Sequence, residues 1–134
     1  MWVGYPSHPE LWEEHLEEAR VEVAALTRAL AGPGRERVRL LVHGADALDD
    51  ARARLRDVDI ELVPGRFGDI WLRDTGPLFD GERALAFRFN GWGGKYVLEH
   101  DDEVAAQLAA HSDTRLVQHD FVLEGGALDH DGEG

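Results

Sequence analysis

The chain has 134 residues, 43 % hydrophobic and 31 % charged, which suits one folded domain and is too apolar for disorder. A formal charge of −13 argues against a nucleic-acid or anionic-membrane surface and favours a small cationic partner. With no cysteine the chain has no disulfide, no thiolate metal site and no thiol nucleophile of its own, and no apolar run nears the roughly 18 residues of a membrane helix, so a cytoplasmic location is expected.

In chain order, Ser7 and Glu10 have the spacing of a capping box, and Trp12, Leu16, Ala19, Val23, Leu26 and Leu30 recur at steps of three and four. This predicts an amphipathic helix over 8–31, laid on a sheet and stopped by Gly32-Pro33-Gly34 with a glycine in the left-handed cap. A strand over 38–42, a short helix over 45–56 with Leu48, Ala51 and Leu55 inward, and strands over 58–63 and 70–73 follow. Asp80-Gly81 signals a hairpin, and Leu85, Phe87 and Phe89 alternate with Ala86 and Arg88 as the apolar side of a half-buried strand does. A helix from Asp101 or Asp102 to about His111 and two strands, 116–117 and 121–123, complete the pattern.

These elements fall into two similar modules, approximately 35–80 and 81–134, preceded by the helix 8–31. In each, strand, helix and two strands end in an acid with glycine just after it: Asp74 with Gly76, and Glu124 with Gly125. WLRDTGP and FVLEGGA thus occupy one position in successive modules, with the acids 50 residues apart. So small a module buries little apolar surface alone, and further copies or partner chains must stack on it.

Two carboxylates at equivalent strand ends suit either acid–base chemistry or an anionic clamp on a planar cation, since the guanidinium fork matches carboxylate geometry. Asp74 could equally pair with Arg73 or cap its turn. In FRFNGWGGKY (87–96), the glycines let backbone approach a ligand closely and Trp92 offers a cation–π face; a glycine-rich loop around a core tryptophan reads equally well. It is no phosphate-binding P-loop, because Tyr96 follows Lys95 where Ser or Thr is required. Trp71 is expected in the core. LDHDGEG lacks the calcium-loop register and reads as a turn, and no two of the seven histidines have metal-ligand spacing, so no metal site is expected.

DIWLRDTGPLF (69–79), FRFNGWGGKY (87–96) and FVLEGGALDHDGEG (121–134), with the opening WVGYPSHPELW (2–12), resemble the agmatine deiminase and bacterial-type peptidylarginine deiminase family. The resemblance implies an α/β fold, about two modules of a five-bladed α/β propeller (the pentein fold), incomplete. It implies hydrolysis of a guanidinium group to a ureido group and ammonia by a cysteine thiolate and a proton-shuttling histidine, without metal or organic cofactor. By motif, Asp74 resembles the guanidinium-binding aspartate and Glu124 the acid beside the catalytic histidine; Trp71 resembles the aromatic of the substrate slot, with Trp92 a further substrate-binding candidate. The substrate class is a small guanidinium cation, agmatine or arginine.

The family's His-x-Asp motif and nucleophilic cysteine lie beyond LEGG and are absent from these residues, and His130 between Asp129 and Asp131 is a poor stand-in. The chain is therefore expected to be the N-terminal portion of such a hydrolase, inactive alone. The rival readings are a non-catalytic guanidinium or polyamine binder and a structural module that completes its stack as a homo-oligomer.

Overall fold

A computed structural model describes residues 1–129, and the chain divides into two compact units, Met1–Ile70 and Trp71–Gly134. The first is a parallel sheet in the order β1 (Trp2–Gly4), β2 (Arg39–Val42), β3 (Glu61–Pro64). Parallel neighbours need crossovers. The first comprises α1 (Pro9–Trp12), a 3-10 turn (Glu13–His15) and α2 (Leu16–Ala31); the second is α3 (Ala45–Arg54). Central β2 buries Leu40, Leu41 and Val42 in succession, the continuous apolar run of a strand covered on both faces. Its core joins Tyr5, Ala24, Leu40, Val42, Ala47, Ala51 and Leu55.

The helix expected over 8–31 is interrupted. Glu13 takes φ 48° and ψ −127° at the end of α1, so the chain restarts at Leu16 with a new phase. The buried face of α2 accordingly falls on Ala24 and Thr27, and Leu26 is left 51 % exposed. The capping box does not form: His8 is the N-cap, without a side-chain bond, and Pro9 opens the helix, where its fixed φ and missing N–H are no loss. Ser7 Oγ turns to the sheet instead, donating to Tyr5 O at 2.7 Å and accepting from the His43 N–H at 3.2 Å. At the far end Gly32 has φ −81°, outside the left-handed region, which Arg35 occupies at φ 54°.

The second unit holds an antiparallel hairpin, β4 (Leu78–Asp80) and β5 (Arg83–Arg88), with β6 (Arg115–Val122) parallel to β5. Residues 81 and 82 form the turn, Gly81 at φ 58°. Helix α6 (Val104–His111) provides the crossover and buries Val104, Ala105, Leu108 and Ala109. It packs on β5, whose buried residues are Ala84 and Ala86; Leu85 and Phe87 are only half-buried, the reverse of the expected faces, because the small side chains admit the helix. Phe87 instead stacks on His119, ring centroids 5.1 Å apart, and meets Phe121 at 5.2 Å. The strands expected at 116–117 and 121–123 are one, β6.

No strand exists at 70–73. The chain bends and forms a one-turn helix, α4 (Leu72–Thr75), because Trp71 O collects three local donors: Asp74 N at 3.0 Å, Thr75 N at 3.1 Å and Thr75 Oγ1 at 3.2 Å. Local bonding of this kind outcompetes an extended conformation. A second single turn, α5 (Gly91–Gly94), follows β5.

Candidate functional site

Asp74 sits half-buried on α4, a turn rather than a strand end. Its carboxylate Oδ1 accepts the Gly126 N–H at 3.3 Å. Arg73, the alternative partner for Asp74, donates Nη2 to Leu128 O at 2.9 Å. The two motifs read as equivalent positions in successive modules are thus in direct contact within one unit.

That contact depends on a glycine. A Cβ on Gly125 would lie 2.1 Å from Arg73 O, too close for any side chain, and Gly125 is buried. Glu124, half-buried with extended backbone (φ −94°, ψ 145°), precedes the 3-10 turn Gly125–Ala127. One acid therefore leads into the turn that holds the other.

Trp71 is not a core residue: it is 52 % exposed, next to α4, because the bend that replaces the expected strand gives it no sheet to pack on. Such an exposed aromatic face is available to a cation. Trp92 is half-buried in the glycine-rich loop and holds φ 54°, ψ 52°, between Gly91 at 67° and Gly93 at 76°. A bulky residue in the left-handed region is strained and persists only where its surroundings fix it. Here Asn90 Oδ1 accepts Gly93 N at 2.9 Å, and the indole makes edge contacts with Phe89 and Tyr96 at 4.9 and 6.1 Å. The loop borders a cavity of about 440 Å³ lined by Phe89, Gly91, Val97, His100 and Asp101 among others.

In the first unit, His8 and His43 lie with ring centroids 4.7 Å apart, both edge-on to Phe67. Sequence spacing gave no sign of this pair, which the parallel sheet assembles. His8 also bonds Glu10 Oε1 at 3.2 Å and Phe67 O at 2.7 Å; the backbone and His8 beside it hold the Glu10 carboxyl below the usual range. Among the described residues no three His, Cys, Asp or Glu side chains form a metal-holding group, and no helix is long and apolar enough to cross a membrane. The readings of His130, Asp131 and the closing turn lie outside the described residues.

The chain belongs to the Porphyromonas-type peptidyl-arginine deiminase family, which it matches over residues 1–134. It is 35 % identical over 144 residues to the agmatine deiminase of Pseudomonas aeruginosa strain LESB58, covering 99 % of this chain and 38 % of that protein. Among solved structures, the agmatine deiminase of Enterococcus faecalis, described as catalyzing its reaction, superposes with TM-score 0.85 at 25 % identity, over 99 % of this chain and 38 % of that one. A C. jejuni agmatine deiminase with substrate bound gives TM-score 0.82 at 28 % identity, over 99 % and 40 %. The fold is that of these α/β pentein enzymes, and the chain spans about two fifths of their length.

Proposed function

We propose that these residues are the N-terminal part of a guanidine-modifying hydrolase that converts agmatine to N-carbamoylputrescine and ammonia. The observation that carries this is the contact between the two acid-bearing motifs, Asp74 against the turn that begins after Glu124. In this reading Asp74 binds the guanidinium N–H groups, and Glu124 supplies a second carboxylate. Trp71 and Trp92 present aromatic faces to the cation. Holding a resonance-stabilised cation on fixed carboxylates aligns its carbon for nucleophilic attack and stabilises the charge as it redistributes. The nucleophile is not among these 134 residues, none of which is cysteine.

The same observation favours a second reading of the isolated chain, as a guanidinium or polyamine binder without turnover. Both are tested together by titrating the 134-residue chain with agmatine in a calorimeter while measuring ammonia. Binding without ammonia is expected; turnover by a clean preparation refutes the assignment of the nucleophile, and no binding by either this chain or a longer form refutes the clamp. An arginine-terminated peptide assayed beside agmatine on the longer form decides the substrate.

A further inference from the structure

The Asp74 carboxylate does not stand alone on its turn; it is held by backbone from 52 residues further on. Gly126 N–H donates to Oδ1 at 3.3 Å, while Arg73 donates to Leu128 O at 2.9 Å and Arg73 O closes against Gly125, where even a methyl group would sit 2.1 Å away. Three contacts therefore tie α4 to the turn Gly125–Ala127 and to Leu128 just after it. A short, half-exposed side chain on a four-residue helix has two free torsions, and a clamp on guanidinium needs both fixed. A backbone N–H on one oxygen restrains rotation of the carboxylate and leaves Oδ2, and the second lone pair of Oδ1, for ligand N–H groups.

We infer that Gly126 is a positioning residue: its N–H orients the Asp74 carboxylate toward the guanidinium, and Gly125 is the spacer that lets it approach. The inference deepens the guanidinium reading and rests on it. It explains why a pair of glycines follows Glu124, where one would suffice to turn the chain. Gly125 must lack a side chain to admit Arg73 O, and a Cβ on Gly126 would lie 3.0 Å from Asp74 Oδ1, close enough to push that oxygen by a few tenths of an ångström.

The test compares Gly126→Pro, which removes the N–H, with Gly126→Ala, which adds a Cβ but keeps the donor. Agmatine affinity is measured by calorimetry on a catalytically complete form of the protein, with melting temperature recorded for each variant. Ala51→Gly, in the buried core of the first unit, serves as a destabilised control. Gly126→Pro is expected to weaken agmatine binding about tenfold, Gly126→Ala to stay within about threefold, and Ala51→Gly to lower melting without changing affinity. Equal affinity losses for Pro and Ala, losses that follow melting temperature across all three variants, or wild-type affinity in Gly126→Pro would each overturn the positioning role. Asp74→Ala separates the two failures: unchanged agmatine affinity there sinks the guanidinium clamp itself, whereas a large loss with a normal Gly126→Pro sinks only the role of Gly126.

Discussion

The two units are stabilised in different ways. The first encloses its central strand on both faces and braces its crossover helices with a charged network. Tyr5 donates its hydroxyl to Asp50; Arg54 Nε bonds Asp50 at 2.9 Å; Arg54 Nη2 reaches both oxygens of Glu17, at 2.9 and 2.7 Å; and Arg20 lies 3.7 Å from Asp50. The second has a thinner core built on alanines, leaves Trp71, Tyr96, Phe121 and Leu128 exposed, and carries all four candidate site residues. The contrast is one of packing: a continuous apolar core and a charged network hold the first unit, whereas in the second single-turn helices and close backbone contacts hold polar groups near solvent.

The largest expected effect breaks the more deeply buried side of that contrast. Leu40→Ala removes a fully buried side chain from the first unit's cluster, and thermal denaturation should show a loss of about 2–5 kcal/mol; a loss below about 1 kcal/mol would mean that β2 is not tightly covered on both faces. On the other side, if Asp74 binds guanidinium as proposed, Asp74→Asn in a catalytically complete form should lower agmatine kcat/KM on the order of 10²-fold with little change in melting, because it deletes a half-exposed charge and leaves the fold alone. If melting falls and activity holds, Asp74 is an anchor of its turn and nothing more.

The third prediction uses acid to sharpen the contrast. Burial raises the Asp50 carboxyl, but hydrogen bonds from Arg54 and Tyr5 outweigh it and hold the group below the usual carboxylate range. A depressed native value contributes stability above the unfolded carboxyl's pKa of about 3.9, and that contribution is lost as pH falls through the native value. The difference in melting temperature between wild type and Asp50→Asn should therefore be widest near neutrality and close below about pH 4; a difference that persists in acid would assign the effect to packing. Burial, with Asp50 beside it, pushes the Tyr5 hydroxyl up, so the network loses its Tyr5 contribution only at strongly alkaline pH. The smallest effect is at Trp71: if its exposed ring faces the cation, Trp71→Ala should cost about 0.5–1 kcal/mol of agmatine affinity, read by calorimetry, with melting unchanged.

Much of the fold was legible because it depends on local pattern. The apolar run Val38 to Val42, the 45–56 helix with Ala51 and Leu55 inward, the turn beside Asp80 and the helix ending near His111 all follow from period and turn chemistry, and β2, α3, the hairpin and α6 stand there. The failures also have a common cause. Ile70 to Arg73 has a strand's composition but pairs with no strand, so Trp71 O and its three donors decided the conformation. The alternation along β5 separated its two faces, but the large apolar side chains Leu85 and Phe87 are not the ones α6 covers; Ala84 and Ala86 are. The three residues of β1 were too few to show a period at all.

By itself, the sequence determined the strand ending at Val42, the helix that follows it, the turn beside Asp80, the helix ending at His111, the absence of a thiol, the acid-and-glycine pattern 50 residues apart, and the motifs of the family. Only the tertiary structure decided that Asp74 stands on a turn, that Gly126 bonds it, that Trp71 is exposed, and that His8 meets His43. The physical reason is range. Periodicity, capping and turn preference are set by neighbours a few residues apart, whereas a hydrogen bond across 52 residues or a glycine beneath a distant carbonyl exists only after the chain has closed on itself.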